Sequence, residues 1–585
     1  MSPCAVTRLR TVNRRHLLPG FAAFVASLAV ALLGIRAGAE QSGRVELQIL
    51  GVNDLHGHLE SPGSVERGGR QVPMGGAAWL AGWLNRDAAA MPGRTIRVHD
   101  GDMVGASPLI SSHFHDEPTV KAMNLMRFDV GAIGNHEFDE GGHELLRLVR
   151  GGRRSGPAAL KSDAGGGLVN TSDPHFAGER FPSLAANSVD RSGHTLLPPY
   201  RVIERGGVRV GFIGVVTATT PRYLLPAHAH EFRYLDISDT VNRWVPVLQR
   251  HGVQAIVVLA HSGAIQRGNR ASGEVIDEAR QMSDAVDVVV AGHTHSPLNV
   301  RVPNRDGQGD KLVVQSWSYG TAYERVHLTI DRKSGDVVSK RARLQRTWQD
   351  EVRPDPRVAA LMRRYHRLVA PVANRVVAES RFRLARPGFE RQGELGLGRL
   401  SVDAQRAAGH ADFAFANHGE TRADVAAGKV TYADLFQAQA YEFPLVLMRL
   451  RGAYVRRLLE EQWRDGSTTA LNASGLHADY DRARPEGSRV VRVTTADGHP
   501  LDDKRSYAVV TNDLIAGGER FPALRAGTGR RRIGTDLQAL VNWLSRRAAR
   551  RRLNPPGGPA FGARATASAA ASPRSRARAR STRSQ

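Results

Sequence analysis

Short, mostly apolar runs that stop at a polar turn set the rhythm of the first three hundred residues. Residues 45–52 alternate apolar and polar positions, then become almost wholly apolar and halt at Asn53-Asp54. Residues 95–100, 129–133, 208–216, 255–260 and 286–291 behave in the same way. Each run is short, rich in β-branched side chains and bounded by Gly, Asp, Asn or a polar turn, which predicts strands. Helical spacing occupies several of the intervals, around 77–85, 240–249 and 273–282. Alternating strands and helices predict a sheet covered by helices, with ligands at the strand ends. Residues 148–180 interrupt the rhythm with Gly, Arg and Ser and read as a surface insertion.

Farther on, Val358, Leu361, Tyr365 and Leu368 recur at helical spacing after a proline-flanked start. This predicts a linker helix over 355–376, joining a first domain (40–354) to a second (377–545). The second has its own pattern: 431–435 leads into a helix, while 445–450 and 506–512 read as strands. A length of 585 residues is consistent with more than one core.

Composition changes the picture mainly at the ends. The formal net charge is +24, but residues 1–39 hold five arginines and no acid, and residues 546–585 hold eleven arginines and no acid. The stretch between them is only mildly basic, so no specific nucleic-acid partner is expected for the folded body. The 546–585 tail is expected to be disordered. It carries one aromatic residue, Phe561, which predicts weak, non-specific phosphate binding at most. At the other end, Arg8, Arg10, Arg14 and Arg15 precede an uncharged stretch from Leu17 to Ile35 and a small-residue Ala37-Gly38-Ala39 segment. That order reads as a signal peptide over 1–39 and a periplasmic or secreted product, with an uncleaved anchor as the rival. Asn13-Arg14-Arg15-His16-Leu17-Leu18 loosely resembles a twin-arginine signal. Once the signal is cleaved, no membrane contact is expected. The single cysteine, Cys4, lies in this segment, leaving no disulfide or thiol chemistry for the rest of the chain. The oligomeric state is left open.

The chemistry lies where the apolar runs end. Five fragments follow β-like segments in order: Asn53-Asp-Leu-His56, Gly101-Asp102, Gly134-Asn-His-Glu-Phe-Asp139, Ala260-His-Ser-Gly263 and Gly292-His-Thr-His295. Alone, a Gly-Asp is a turn and a strand-end His is a hydrogen-bonded structural residue. Five in order point instead to two divalent ions about 3.5–4 Å apart, bridged by a carboxylate. Candidate ligands are Asp54, His56, Asp102, Asn135, His261, His293 and His295. This mixed oxygen and imidazole set suits Zn, Mn, Fe or Co better than Mg or Ca. Asp54 and His56 lie two apart, as do His293 and His295, so in extended backbone each pair would share a face.

On these residues, 45–330 resembles the calcineurin-like metallophosphoesterases, and specifically the two-domain 5′-nucleotidase family. The resemblance implies an α+β protein: a four-layer αββα sandwich followed by an α+β substrate-binding domain. It implies two divalent ions, one held by Asp54, His56, Asp102 and His295 and the other by Asp102, Asn135, His261 and His293. It also implies His136 as the phosphate-contacting catalytic residue, Asp139 as its orienting partner, and a metal-activated water that attacks phosphorus in line. Asp100, His58, His99, His113 and His115 match no family position and are read as loop or neighbouring residues.

The second domain follows the family less closely. Phe413-Ala-Phe-Ala-Asn417-His-Gly419-Glu-Thr-Arg422 resembles the family's Asn-x-Gly-Gly-Ile-Arg stretch, which implies that Asn417 contacts the base and Arg422 the phosphate. Tyr441 falls at a base-stacking Phe, and Phe521 at the other half of an aromatic clamp. Glu420 replaces a family glycine, and Gly517-Gly-Glu-Arg520 replaces Gly-Gly-Asp-Gly. Glu420 and Glu442 would repel a dianion unless Arg399, Arg422 or Arg520 pairs with them. The leading expectation is a nucleotide phosphohydrolase. The alternatives are a 2′,3′-cyclic nucleotide phosphodiesterase, a UDP-sugar hydrolase, a thiosulfohydrolase-like relative or a non-enzymatic surface binding protein.

Overall fold

The computed structural model describes residues 43–162, 168–388, 395–466, 470–549 and 561–563. The expected signal peptide lies outside the described residues, as does nearly all of the expected tail. Two six-stranded mixed sheets form the first domain. In one, strand Arg44–Val52 lies between Ala322–Asp331, antiparallel, and Thr95–His99, parallel, with Val130–Ala132 and Ser183–Leu184 continuing the parallel run. The other runs Val208–Val216, Ala255–His261, Val288–Ala291 and Asp310–Gln315 in parallel, with antiparallel edges Tyr200–Arg205 and Leu298–Pro303.

Their inner faces meet in a core that includes Leu47, Ile49, Val98, Phe212, Val257 and Val290. Burying a side chain of this size stabilises the fold by about 1.5–3 kcal/mol. Helices Ile237–Arg250 and Glu274–Gln281 cover the outside of the second sheet. Ala77–Ala90 and Glu117–Met126 cover the first. The layers are therefore αββα. The parallel strands all end on one side, and the turns leaving them carry the polar fragments.

Helix Pro356–Ala373 follows, its N-terminus capped by the Asp355 carboxylate, which accepts from Arg357 N at 2.8 Å and Val358 N at 3.3 Å. Its buried stripe is Val358, Tyr365, Val369 and Val372, whereas Leu368, expected on that stripe, is 52% exposed. The helix packs in one continuous apolar cluster with Leu80 and Leu84 of the first domain and Leu400, Leu435 and Leu540 of the second. The second domain is a five-stranded sheet, ordered Leu471–Ser474, Phe413–Asn417, Ser506–Asn512, Pro444–Arg451, Thr528–Thr535, with helices Leu397–Gly409 and Asp536–Ala549.

The segment expected as a surface insertion is anchored more firmly than its composition suggests. Glu117 accepts from Ser172 Oγ at 2.6 Å and Asp173 N at 2.8 Å and pairs with Arg147, and Phe176 is buried against Val104 and Val120. These contacts bring Arg154 and Lys161 to the wall of the cleft above the strand ends.

Candidate active site

Strand Arg44–Val52 ends just before Asp54, and Ala255–His261 ends on His261 itself. Asp102, Asn135, His293 and His295 occupy the turns after three further strands. The candidate residues paired two apart are not arranged by the pleat of an extended chain. Asp54, His56, Asp102, His293 and His295 all have left-handed backbone, with φ between 45° and 74°. Such φ values in non-glycine residues cost energy and persist only where surrounding structure enforces them. Asp54 and His56 therefore meet through a tight turn, whereas His293 and His295 go to different donor groups, neither of which spacing alone revealed.

Glycine is required where the turns crowd together. A Cβ on Gly134 would sit 2.2 Å from Asp102 Oδ1, and one on Gly292 would sit 2.6 Å from Asp100 Oδ2. The glycines beside the acidic and imidazole residues thus let neighbouring turns pass within reach of each other.

Six of the seven side chains come together, and Asn135 is buried on the turn that packs against Asp102. Asp54, His56 and His295 form one donor group and Asp102, His261 and His293 another, the donor atoms in each lying within 4.8 Å of one another. His56 Nε2 is 3.2 Å from His295 Nε2, and Asp54 Oδ1 is 3.3 Å from His295 Nε2. Asp102 Oδ2 lies 2.9 Å from His261 Nε2 and 3.7 Å from His56 Nε2, so it touches both groups.

These residues fit divalent cations. Asn135 is fully buried, yet neither its Oδ1 nor its Nδ2 has a hydrogen-bond partner, and an orphaned amide of that kind is costly unless something else ligates it. His56 Nδ1 lies 2.9 Å from Gly105 O and His261 Nδ1 3.1 Å from Asp100 O. A carbonyl can only accept, so each Nδ1 carries the proton and Nε2 is left for a cation. Asp100, fully buried, thus contributes through its backbone, and Asp54 is held by His293 N at 3.0 Å.

His136 sits at the edge of this cluster, its ring centre 4.9 Å from that of His56. Its Nδ1 lies 2.8 Å from Asp139 Oδ2, and its backbone N donates to Asp102 Oδ1 at 2.8 Å. Burial works against the charged imidazole, but the Asp139 and Asp102 carboxylates outweigh it and raise the His136 pKa well above the ordinary value. Asp102 in turn is held well below the usual carboxylate range, because His261 and His136 overcome the burial that opposes its charge.

Glu137 is a residue that sequence reasoning passed over. Its carboxylate accepts from Asp102 N at 3.0 Å, Met103 N at 2.9 Å and Gly134 N at 2.6 Å. It clamps the two turns that carry Asp102 and Asn135. The only sequence signal was an acidic residue inside an otherwise assigned fragment. Of the unmatched histidines, His58 packs on Tyr319 with ring centres 4.0 Å apart, and His99 lies between Phe128 and Phe181. His113 and His115 meet the insertion at Thr171 and Ala159.

The second domain supplies only part of what was expected. Tyr441 faces the site, its ring 6.0 Å from His136 and nearly parallel to it. Arg422 also reaches across, donating to Tyr319 Oη at 3.3 Å, and Tyr319 packs against His56 and His295. Asn417 is buried, and its backbone N donates to Glu420 Oε1 at 3.2 Å.

Phe521 does not complete an aromatic clamp. It is 0% exposed and lies in the second domain's own core with Phe415 and Leu524. An apolar ring at a chain reversal gains more from burial than from facing a wet cleft. The ring stacked on Tyr441 is Phe443, 4.8 Å away between centres. The feared repulsion is also met differently. Glu420 turns inward, and burial pushes its pKa up to about 7. Glu442 approaches Lys161 at 3.9 Å, and Arg399 pairs with Asp403. Among the described residues none of the three named arginines forms an ion pair with Glu420 or Glu442. A cleft of about 430 Å³ opens above His136, with Tyr441, Phe443, Tyr223, Arg154 and Lys161 on its walls.

Comparison with known proteins gives this geometry a family. Residues 47–297 match the calcineurin-like phosphoesterases and residues 376–526 the 5′-nucleotidase C-terminal domain. Endonuclease YhcR of Bacillus subtilis is 33% identical over 81% of the chain, though the chain spans only 37% of that protein. Cell wall protein Lmo0130 of Listeria monocytogenes is 33% identical, with 86% of this chain and 67% of that protein covered. The solved 5′-nucleotidase precursor of Thermus thermophilus superposes with a TM-score of 0.70 at 26% identity, covering 89% of this chain and 99% of the other. A strand-end cluster able to hold divalent metals, followed by a matching second domain, places the chain in the 5′-nucleotidase family of calcineurin-like, metal-dependent phosphoesterases.

Proposed function

We propose that this chain is an exported dinuclear-metal phosphohydrolase that releases phosphate from nucleotides. The observation that carries the reading is Asp102, whose carboxylate lies against both donor groups as a bridge between two ions must. Asp54, His56, Asp102 and His295 would hold one ion, and Asp102, Asn135, His261 and His293 the other. The mixed donors favour Zn, Mn or Co. Bound there, the ions would supply an activated water and offset charge on the phosphoryl oxygens.

The chain's own residues do the rest. His136, held protonated by Asp139, donates to a phosphoryl or leaving oxygen as negative charge develops there. Glu137 keeps the Asp102 and Asn135 turns in register. Arg422 stands over the Tyr319 side of the cluster, placed to meet the phosphate, and Tyr441 offers a ring face to the base. Asn417 completes the base contact in this reading. Export rests on the basic and then apolar order of residues 1–39 and on a relative named as a cell wall protein. Among the described residues no helix is long and apolar enough to cross a membrane.

A second reading, hydrolysis of a cyclic or linear diester or of a UDP-sugar, is favoured by one observation: the burial of Phe521 removes half of the base clamp. Phosphate release from AMP, UDP-glucose, 2′,3′-cyclic AMP and bis(p-nitrophenyl) phosphate separates the two, using residues 40–545 loaded with Mn, Zn or Co. Preference for AMP supports the nucleotidase reading. Preference for the bis-aryl ester over AMP overturns it in favour of a diesterase.

A further inference from the structure

Two arginines of the second domain cross to the metal cluster, and they reach opposite halves of it. Arg422 meets Tyr319, whose ring packs on His56 and His295. Arg520 lies over Tyr223 at 5.8 Å and donates to Arg222 O at 3.3 Å, while Tyr223 Oη is 3.3 Å from His293 Nε2. One arginine therefore serves the Asp54–His56–His295 group and the other the Asp102–His261–His293 group.

What sets these two apart is their place at the candidate metal cluster, since Arg482 and Arg505 of the same domain also lie over tyrosines. Arg525, Arg532 and Arg456 pair with Glu519, Asp513 and Asp503. Among the described residues neither Arg422 nor Arg520 has a carboxylate within ion-pair distance; each rests on a tyrosine. Glu420 feels the charge of Arg520, yet its Oε1 accepts from Asn417 N and no ion pair joins the two. A guanidinium set on neutral groups beside a site for divalent cations has its electrostatic partner in an incoming anion. Arg422 stands nearer the catalytic histidine, since it lies 5.7 Å from the Tyr441 ring that faces His136. Arg520 is displaced from it, toward Tyr223 on the wall of the same cleft.

We propose that Arg520 is a specificity-determining residue that holds a second anionic group of the substrate, so that the preferred substrate is a nucleotide with a further phosphoryl group. The proposal rests on the phosphohydrolase reading and assigns Arg520 a role beyond it. In this arrangement charge recognition stands in for the aromatic stacking that a core-facing Phe521 does not provide.

AMP and ADP share a nucleoside and differ by one phosphoryl group. With metal-loaded protein, kcat/KM for ADP should exceed that for AMP about tenfold. Arg520→Gln should erase that preference while leaving AMP and p-nitrophenyl phosphate within about twofold. Arg520→Lys, which keeps the charge, should restore part of it. Equilibrium binding of ADP and AMP to the His136→Ala protein, with and without Arg520→Gln, reads the same preference without turnover. Equal losses for AMP and ADP in Arg520→Gln would overturn the proposal, because Arg520 would then grip the scissile phosphoryl group. No change for either nucleotide would overturn it as well. If no ester is turned over by the wild type, the phosphohydrolase reading fails. The binding ratio then still decides the role of Arg520.

Discussion

The two halves of this site were built under different constraints. In the first domain the proposed metal-ligating residues sit at or just past the ends of buried strands, and five of them have left-handed backbone. In the second domain the proposed recognition residues lie at a strand end and on loops, and several positions depart from the family's pattern. Phe521 has gone into the core, Glu420 has turned inward, and Arg520 stands where a family glycine would be. Metal chemistry tolerates little displacement, because donors must converge within fractions of an ångström. A surface that reads a leaving group can exchange stacking for charge and still bind. On the proposed function, the reaction is set in the strand ends, while the choice of substrate is set in the loops.

The comparison can be broken most forcefully at Asp102. Asp102→Asn should lower kcat by at least about 1000-fold while the circular dichroism spectrum stays native-like, because it would weaken the proposed bridge and leave the fold intact. Next in size, His136→Ala should lower kcat about 100- to 10,000-fold with metal content unchanged, and Asp139→Asn should lie between that variant and wild type. Near-wild-type turnover in either would remove the assigned proton donor.

Phe521→Ala sharpens the other half. Its ring is core, so the variant should lose about 3–5 kcal/mol of stability in urea unfolding. A variant that stays stable but loses nucleotide affinity would restore the clamp. Tyr441→Ala should raise KM for nucleotides several-fold, consistent with about 1–3 kcal/mol for a base stacked on a ring. It should leave p-nitrophenyl phosphate nearly untouched.

The smallest expected effect concerns pH. Burial raises the Glu420 pKa to about 7, above its value in an unfolded chain, so the native state holds that proton more tightly. The stability it lends is present at low pH and is lost as pH rises from about 5 toward 7. Glu420→Gln should flatten that portion of the melting-temperature profile. An unchanged profile would show that the carboxylate is ionised throughout.

Much of this was legible in the sequence, and the limits have physical causes. Buried parallel strands are short, β-branched and sharply bounded, so 208–216 and 506–512 were read at the boundaries observed, and 95–100 within one residue. Six of the seven proposed metal-ligating residues fall into two close donor groups, because the parallel strands of both sheets end on the same side. What spacing could not give was the means of convergence, since left-handed backbone at His293 and His295 depends on turns packed against Asp54 and Gly263. Nor could it give Leu368, which helical spacing placed on the buried stripe and which the packing of two domains leaves outside. Phe521 is the plainest case. An aromatic residue in a family motif reads as a clamp, and only the packing around it shows that it points into the core. The insertion was undervalued for a related reason: a Gly-, Arg- and Ser-rich stretch gives no sign that Glu117 will gather Ser172, Asp173 and Arg147.

Whether Asp102 joins two ions is decided by counting them. Elemental analysis of the protein reconstituted with Mn or Zn and freed of excess metal should find two ions per chain in the wild type and at most one in Asp102→Asn. A single ion in the wild type, or two retained in the variant, would contradict the bridge and the reaction built on it.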